Sequence, residues 1–172
     1  APDVRAAYEG DRELFDAHFG EGVAIALLQL NAAELTNQFV PRTYAEADAE
    51  LTPLRARIGG TEDFLRLARE KNEHVQSKPK GGQLGVLTRG SSLLPPEIRD
   101  EVFRVLAERP GDAVGTILGP LRMPGGSALL CLGARRPTPT WEEMASEVSR
   151  ELRRRFVVER LRREDVLLWR DK

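Results

Sequence analysis

The spacing of apolar residues along this chain switches between the helical and the extended period, and most of the switches fall at glycine or proline. Val4, Tyr8 and Phe15 recur at roughly helical spacing behind Asp3, a residue type that caps helix starts. This predicts a helix from Asp3 to about Phe19, weakened by Gly10. GVAIALLQL, residues 22–30, is an apolar run bounded by glycine and asparagine, about the length of a buried strand. Residues 31–42 read as loop. Thr43 and Glu46 form a capping-box pair that opens a helix stopped by Gly59 and Gly60; Pro53 is expected to kink or split it, because proline lacks the N–H and clashes one turn back. Thr61 reads as the cap of a short amphipathic helix to about Asn72, with Phe64, Leu65, Leu67 and Ala68 as its apolar face.

After a polar stretch from His74 to Gly82 broken by Pro79, Leu84 to Leu87 read as a short strand. Pro95 and Pro96 stand where a helix can begin; Ile98, Val102, Phe103 and Leu106 give its repeat, and Pro110 and Gly111 end it. Residues 114–121 and 127–135 read as strands joined at Pro124, Gly125 and Gly126, a hairpin signal. Past a stiff joint at Pro137 and Pro139, Thr140 and Glu143 repeat the capping-box spacing. Trp141, Ala145, Val148, Leu152 and Phe156 then fall on one face of a long helix reaching Lys172. Its other side carries Arg153, Arg154 and Arg155 interleaved with Glu147, Glu151 and Glu159, the pattern of a solvated face. The order of elements predicts a small α+β domain over residues 22–136, between an N-terminal flanking helix (1–21) and a C-terminal helical extension (137–172).

Composition narrows the functions this frame can carry. Over 172 residues, 26 Lys and Arg stand against 27 Asp and Glu, so no basic excess recommends a nucleic acid or an anionic membrane as partner. The longest apolar run is far short of the about 20 residues that span a bilayer, so no membrane insertion is expected. A single cysteine, Cys131, allows no internal disulfide and no CxxC redox pair, and reads as a buried small hydrophobe. Two histidines, His18 and His74, are too few for a His-rich metal site; no metal and no cofactor are expected. The GGQLG turn lacks the Lys-Ser/Thr that follows in a P-loop, and nearby Lys78 and Lys80 favour at most an acidic or phosphorylated peptide. A chain that starts at Ala1 reads as a processed or excised protein whose targeting segment has gone.

Three stretches are more specific: TEDFLRLAREKN (61–72), SKPKGGQLGVLTRGSSLLPPEIRDEVFRV (77–105) and GTILGPLRMPGGSALLCL (115–132). They resemble the parvulin (rotamase, PpiC-type) family of peptidyl-prolyl cis/trans isomerases, in which a DFxxLA helix, a GGxLG turn, a P-E-x-x-x-x-x-F helix and a GP-containing hairpin follow in that order. The resemblance implies a small antiparallel sheet with surrounding helices. VRAAYEGDRELF ahead of the first strand and the charged helix after the last look like the flanks of SurA- and PrsA-type foldases, which implies a bacterial cell-envelope location.

Rotating a prolyl amide means crossing a barrier of about 18–20 kcal/mol without covalent chemistry, so what a catalyst supplies is a site that favours the twisted amide over the planar one. The family's site is a shallow apolar pocket beside two histidines, an Asp or Cys, and a hydroxyl. The resemblance carries the pocket onto Leu84, Leu94 and Ile98, still apolar but without the family's aromatic ring, and leaves Phe103 to the core. The first-strand histidine falls on Leu27, the last-strand histidine on Ala128 and the hydroxyl on Met123. Counting back from Gly81, the Asp or Cys position falls on His74. His18 lies outside the site.

The reading that follows is a polypeptide-binding folding factor, chaperone-like, with weak or absent isomerase catalysis and unfolded or extended X-Pro segments as partners. The alternatives are an active isomerase that works by desolvation alone, and a structural subunit that forms a homodimer through the C-terminal helix.

Overall fold

The computed structural model describes residues 4–111 and 113–170, so the cap expected of Asp3 and the predicted helix end at Lys172 lie outside the described residues. Its elements are α1 (Val4–Gly10), α2 (Arg12–Phe19), β1 (Gly22–Asn31), α3 (Tyr44–Ala56), α4 (Thr61–Lys71), a 3-10 turn (Lys78–Lys80), β2 (Gln83–Thr88), α5 (Pro96–Glu108), β3 (Ile117–Met123), β4 (Gly126–Arg136) and α6 (Trp141–Arg170). Contacts divide the chain into two compact units, residues 22–136 and the two flanks together.

In the flanking unit the single expected N-terminal helix is two. The chain turns at Gly10 and Asp11, where the Asp11 N–H bonds to the Tyr8 carbonyl at 3.2 Å. Tyr8 and Phe15 pack with Met144 and Val148 of α6, and the Tyr8 ring lies 5.1 Å from that of Trp141. Thr140 opens α6 as its sequence suggests, its N–H donating to the Glu143 carboxylate at 2.7 Å. Phe156 is a correction. The inner face runs from Trp141 through Met144, Val148 and Leu152 to Arg155, whose guanidinium lies 5.4 Å from the centre of the Phe15 ring, and Phe156, one residue further round, is exposed.

The central unit is a four-stranded sheet in the order β2-β1-β4-β3, antiparallel throughout. β1 reads as one apolar run because both faces of the sheet are covered. Val23, Ile25 and Leu27 pack with Ala128, Leu130 and Leu132 against Ile98, Val102, Val105 and Leu106 of α5. The alternate residues Ala26, Leu28 and Leu30, with Leu129 and Cys131, pack against Ala47 and Leu51 of α3 and Phe64 and Ala68 of α4.

Several boundaries move for local reasons. Both capping-box bonds between Thr43 and Glu46 are present, but α3 passes Pro53 as one helix; the proline sits in the last turn, and the helix ends at Ala56, short of the glycine stop. The N-cap of α4 is Gly60 rather than Thr61, and the Asp63 carboxylate accepts the Gly59 N–H at 3.1 Å. β3 begins at Ile117 instead of 114, because the chain is still turning at Gly115, whose φ is 81°. Within β3 the register steps from Leu118 opposite Leu130 to Leu121 opposite Ala128, a bulge. Gly119 permits it, since a Cβ there would lie 2.5 Å from the Ala128 carbonyl oxygen.

Pairing of β2 with β1 stops at Ala26, and the loop before β2 takes over the rest of that edge. The Leu27 N–H donates to the Gly82 carbonyl at 2.7 Å, the Gln29 N–H to Asn72 Oδ1 at 3.0 Å, and the Glu73 N–H to the Gln29 carbonyl at 2.8 Å. Gly82 has φ of 90°, and a Cβ on it would stand 2.7 Å from the Leu27 carbonyl oxygen; this close approach is what the paired glycines of GGQLG provide.

Candidate active site

The face of the sheet under α5 gathers six of the seven residues expected at a site. Leu27 from β1, Ala128 from β4, Met123 from the end of β3, Leu94 from the loop just before α5, Ile98 from its first turn, and Leu84 from β2 belong to one apolar cluster. They are packed against one another: Leu27 is 1% and Ala128 0% exposed, Leu94, Ile98 and Met123 are also buried, and Leu84 alone is half-buried. Phe103 lies in the same cluster, with the Arg89 guanidinium 4.5 Å from the centre of its ring.

His74 does not join that cluster. It sits in the polar knot that fastens the loop to β1: its Nδ1 lies 2.9 Å from Ser77 Oγ, and its N–H donates to Asn72 Oδ1 at 3.2 Å. Asn72 Nδ2 in turn donates to Ser77 Oγ at 2.8 Å, and both Asn72 and Ser77 are buried. Ser77 Oγ thus stands between Asn72 Nδ2, from which it accepts, and His74 Nδ1. The contacts of His74 are those of a loop fastener.

One polar residue of this face gave no motif signal. Gln29 lies opposite Ala128 in the β1–β4 register and is 3% exposed, and its Oε1 is buried without a hydrogen-bond partner. Two apolar neighbours hid it in the strand, and only its parity with Leu27 marks the face it occupies. The Ser127 hydroxyl, next to Ala128, belongs to the opposite face, where it donates to the Asp48 carboxylate on α3. Cys131 also faces away from the site, and burial pushes its thiol up from the ordinary range, as befits an inert core cysteine.

Cavities of about 660 Å³, beside Arg42, Leu54 and Asn72, and about 300 Å³, over Ala26, Leu65 and Cys131, include none of the expected site residues. Among the described residues no group of three or more His, Cys, Asp or Glu is gathered as a metal site would need, and no helix is long and apolar enough to cross a membrane.

The order of sheet and helices, and an apolar floor between β1, β4 and α5, define an α+β domain of the parvulin type. The family model for the rotamase, PPIC-type PPIase domain, matches residues 31–132, more than half of the chain, and the chain belongs to that family. No curated protein matches it. Among solved structures it is similar to the peptidylprolyl isomerase PrsA from Bacillus anthracis, at 18% identity over 87% of this chain and 57% of that one, with a TM-score of 0.51. PrsA from Bacillus cereus is alike at 18% identity over 88% and 50% of the two chains, also with a TM-score of 0.51. A structure of SurA-like chaperones from Campylobacter jejuni matches at 18% identity over 100% of this chain and 62% of that chain, with a TM-score of 0.50. These likenesses show the fold, and the chain spans between half and two thirds of the length of each.

Proposed function

We propose that the chain is a PpiC-type folding factor that holds unfolded or extended polypeptide and catalyses prolyl isomerisation weakly or not at all. The observation that carries this reading is that Leu27 and Ala128, onto which the resemblance carries the family's two histidine positions, lie buried in a cluster of apolar side chains. Catalysis requires groups that interact more strongly with the twisted amide than with the planar one, and oriented dipoles are the usual means. A floor of methyl and methylene groups offers none, while apolar surface at the half-buried Leu84 still suits an apolar segment. An extracytoplasmic bacterial location belongs to the same reading, supported by the SurA-like and PrsA neighbours and tested by fractionating cells that express the full-length protein.

Suppression of the aggregation of an unfolded client, scored with the whole chain and again without residues 137–172, tests the reading. The whole chain is expected to delay aggregation at a few-fold molar excess; no delay at any ratio overturns the holding function.

A second reading, assembly through α6, is favoured by Phe156, Val157, Val158 and Leu161, four exposed apolar side chains within six positions. Sedimentation velocity tests it: a monomer at every concentration up to the millimolar range removes the homodimer.

A further inference from the structure

Leu35 (82%), Phe39 (83%) and Val75 (82%) are the most exposed of the large apolar side chains among the described residues. They sit on two loops, 32–42 after β1 and 72–77 after α4, that meet at the end of β1 and are bolted together. The Arg42 guanidinium donates to the Glu73 carboxylate at 3.0 Å and to the Asn31 carbonyl at 3.0 Å, and pairs with Glu50 at 2.9 Å. The base of the first loop is closed by the Ala33 N–H on the Arg42 carbonyl at 3.1 Å, and its tip by Asn37 Oδ1, which accepts from the Phe39 and Val40 N–H groups at 2.8 and 2.9 Å. The exposure therefore comes from a held shape.

The same loop runs on to the candidate site. The Ala32 N–H donates to the Gly125 carbonyl in the hairpin that follows Met123, and Glu34 pairs with Arg122, the residue before Met123. Its charge pattern narrows the partner. Residues 32–41 carry one charge, Glu34, already neutralised by Arg122, in a chain that is 31% charged. Residues 74–77 carry none when His74 is neutral. Arg42 beside these stretches is paired with Glu73 and Glu50, so the loop tips themselves suit uncharged aliphatic and aromatic side chains better than phosphates or an acidic peptide.

We propose that Leu35, Phe39 and Val75 form an apolar rim that takes the aliphatic or aromatic residues of an extended client polypeptide as it passes the end of β1. This assignment rests on the reading of the chain as a polypeptide-binding folding factor.

The test is fluorescence anisotropy of two labelled, unstructured peptides, each with a single proline, one flanked by Phe and Leu and the other by Ser, titrated with the whole chain and with the triple variant L35S/F39S/V75S. All three side chains are exposed, so the variant should keep its thermal midpoint. The wild type is expected to prefer the apolar peptide, and the variant to lose about tenfold or more of that affinity, as the loss of two or three buried side chains implies. Wild-type binding that the triple variant retains within about twofold overturns the rim and leaves the folding-factor reading standing. A wild type that binds neither peptide overturns both. A variant that keeps peptide affinity but loses a wild-type dimer in sedimentation, or wild-type adsorption to phosphatidylcholine vesicles, assigns the rim to a second copy or to lipid and overturns the client assignment.

Discussion

The two faces of the central sheet are built from alternate residues of the same strands, yet they handle polar groups differently. Under α3 and α4 the buried Ser127 hydroxyl reaches the Asp48 carboxylate, and on the exposed outer edge of β3 the carbonyls of Ile117 and Gly119 accept from the Arg55 guanidinium of α3. Under α5 the apolar cluster is bordered by Arg135, whose guanidinium donates to the Leu106 carbonyl, while the buried Gln29 on the same face has an unpartnered side-chain oxygen. The face to which the resemblance carries the family's site is a packed core in this chain, with one unpartnered polar group beside it. An unpaired buried acceptor costs a core its desolvation with nothing in return.

Substitutions sharpen that contrast. Phe64→Ala, in the core under α3 and α4, should cost about 3–5 kcal/mol in urea unfolding. If the site face is equally a core, Leu27→Ala should cost about 2–5 kcal/mol; a loss under about 1 kcal/mol would mean an open pocket instead. Ser127→Ala should cost about 1–2 kcal/mol, because it breaks a bond made by a buried hydroxyl. Gln29→Leu should go the other way and stabilise by about 1 kcal/mol, since it removes a buried acceptor that has no partner; destabilisation of that size would reveal a hidden partner for Oε1.

The smallest effect belongs to the flanking unit and sets a baseline against which both faces are read. Hydrogen bonds from Arg154 and then Arg155 hold the Glu151 carboxyl at about 2, below its usual 4.5. A lowered carboxylate lends stability that is fully present above its unfolded value and is lost as pH falls through the folded one, so the thermal midpoint should drop between pH 4.5 and about 2. Glu151→Gln should remove that part of the drop, and an identical acid profile in the variant would show that the ion pairs add nothing.

Motifs made the fold legible. The β1 run, the Thr43 cap, the GGQLG turn and the GP hairpin each encode a local constraint, so sequence order alone places the elements. What the sequence hid depends on long-range geometry. Phe156 looked like part of an inner stripe, but the stripe drifts round α6 and leaves it outside. His74 filled the Asp or Cys position by count, while its contacts belong to a loop knot that requires Asn72, Ser77 and the free edge of β1 together. Gln29 was invisible because a polar residue in an apolar strand signals nothing until its face and its neighbour Ala128 are known.

The central claim is that this site has lost its catalytic polarity. It is tested most directly by cis-to-trans exchange of a short X-Pro peptide at about 10 °C, where the uncatalysed reaction takes minutes. The account predicts an acceleration far below that of an ordinary parvulin domain measured alongside, and the same rate in the His74→Ala variant. A rate approaching the ordinary domain's, or one abolished by His74→Ala, would contradict it.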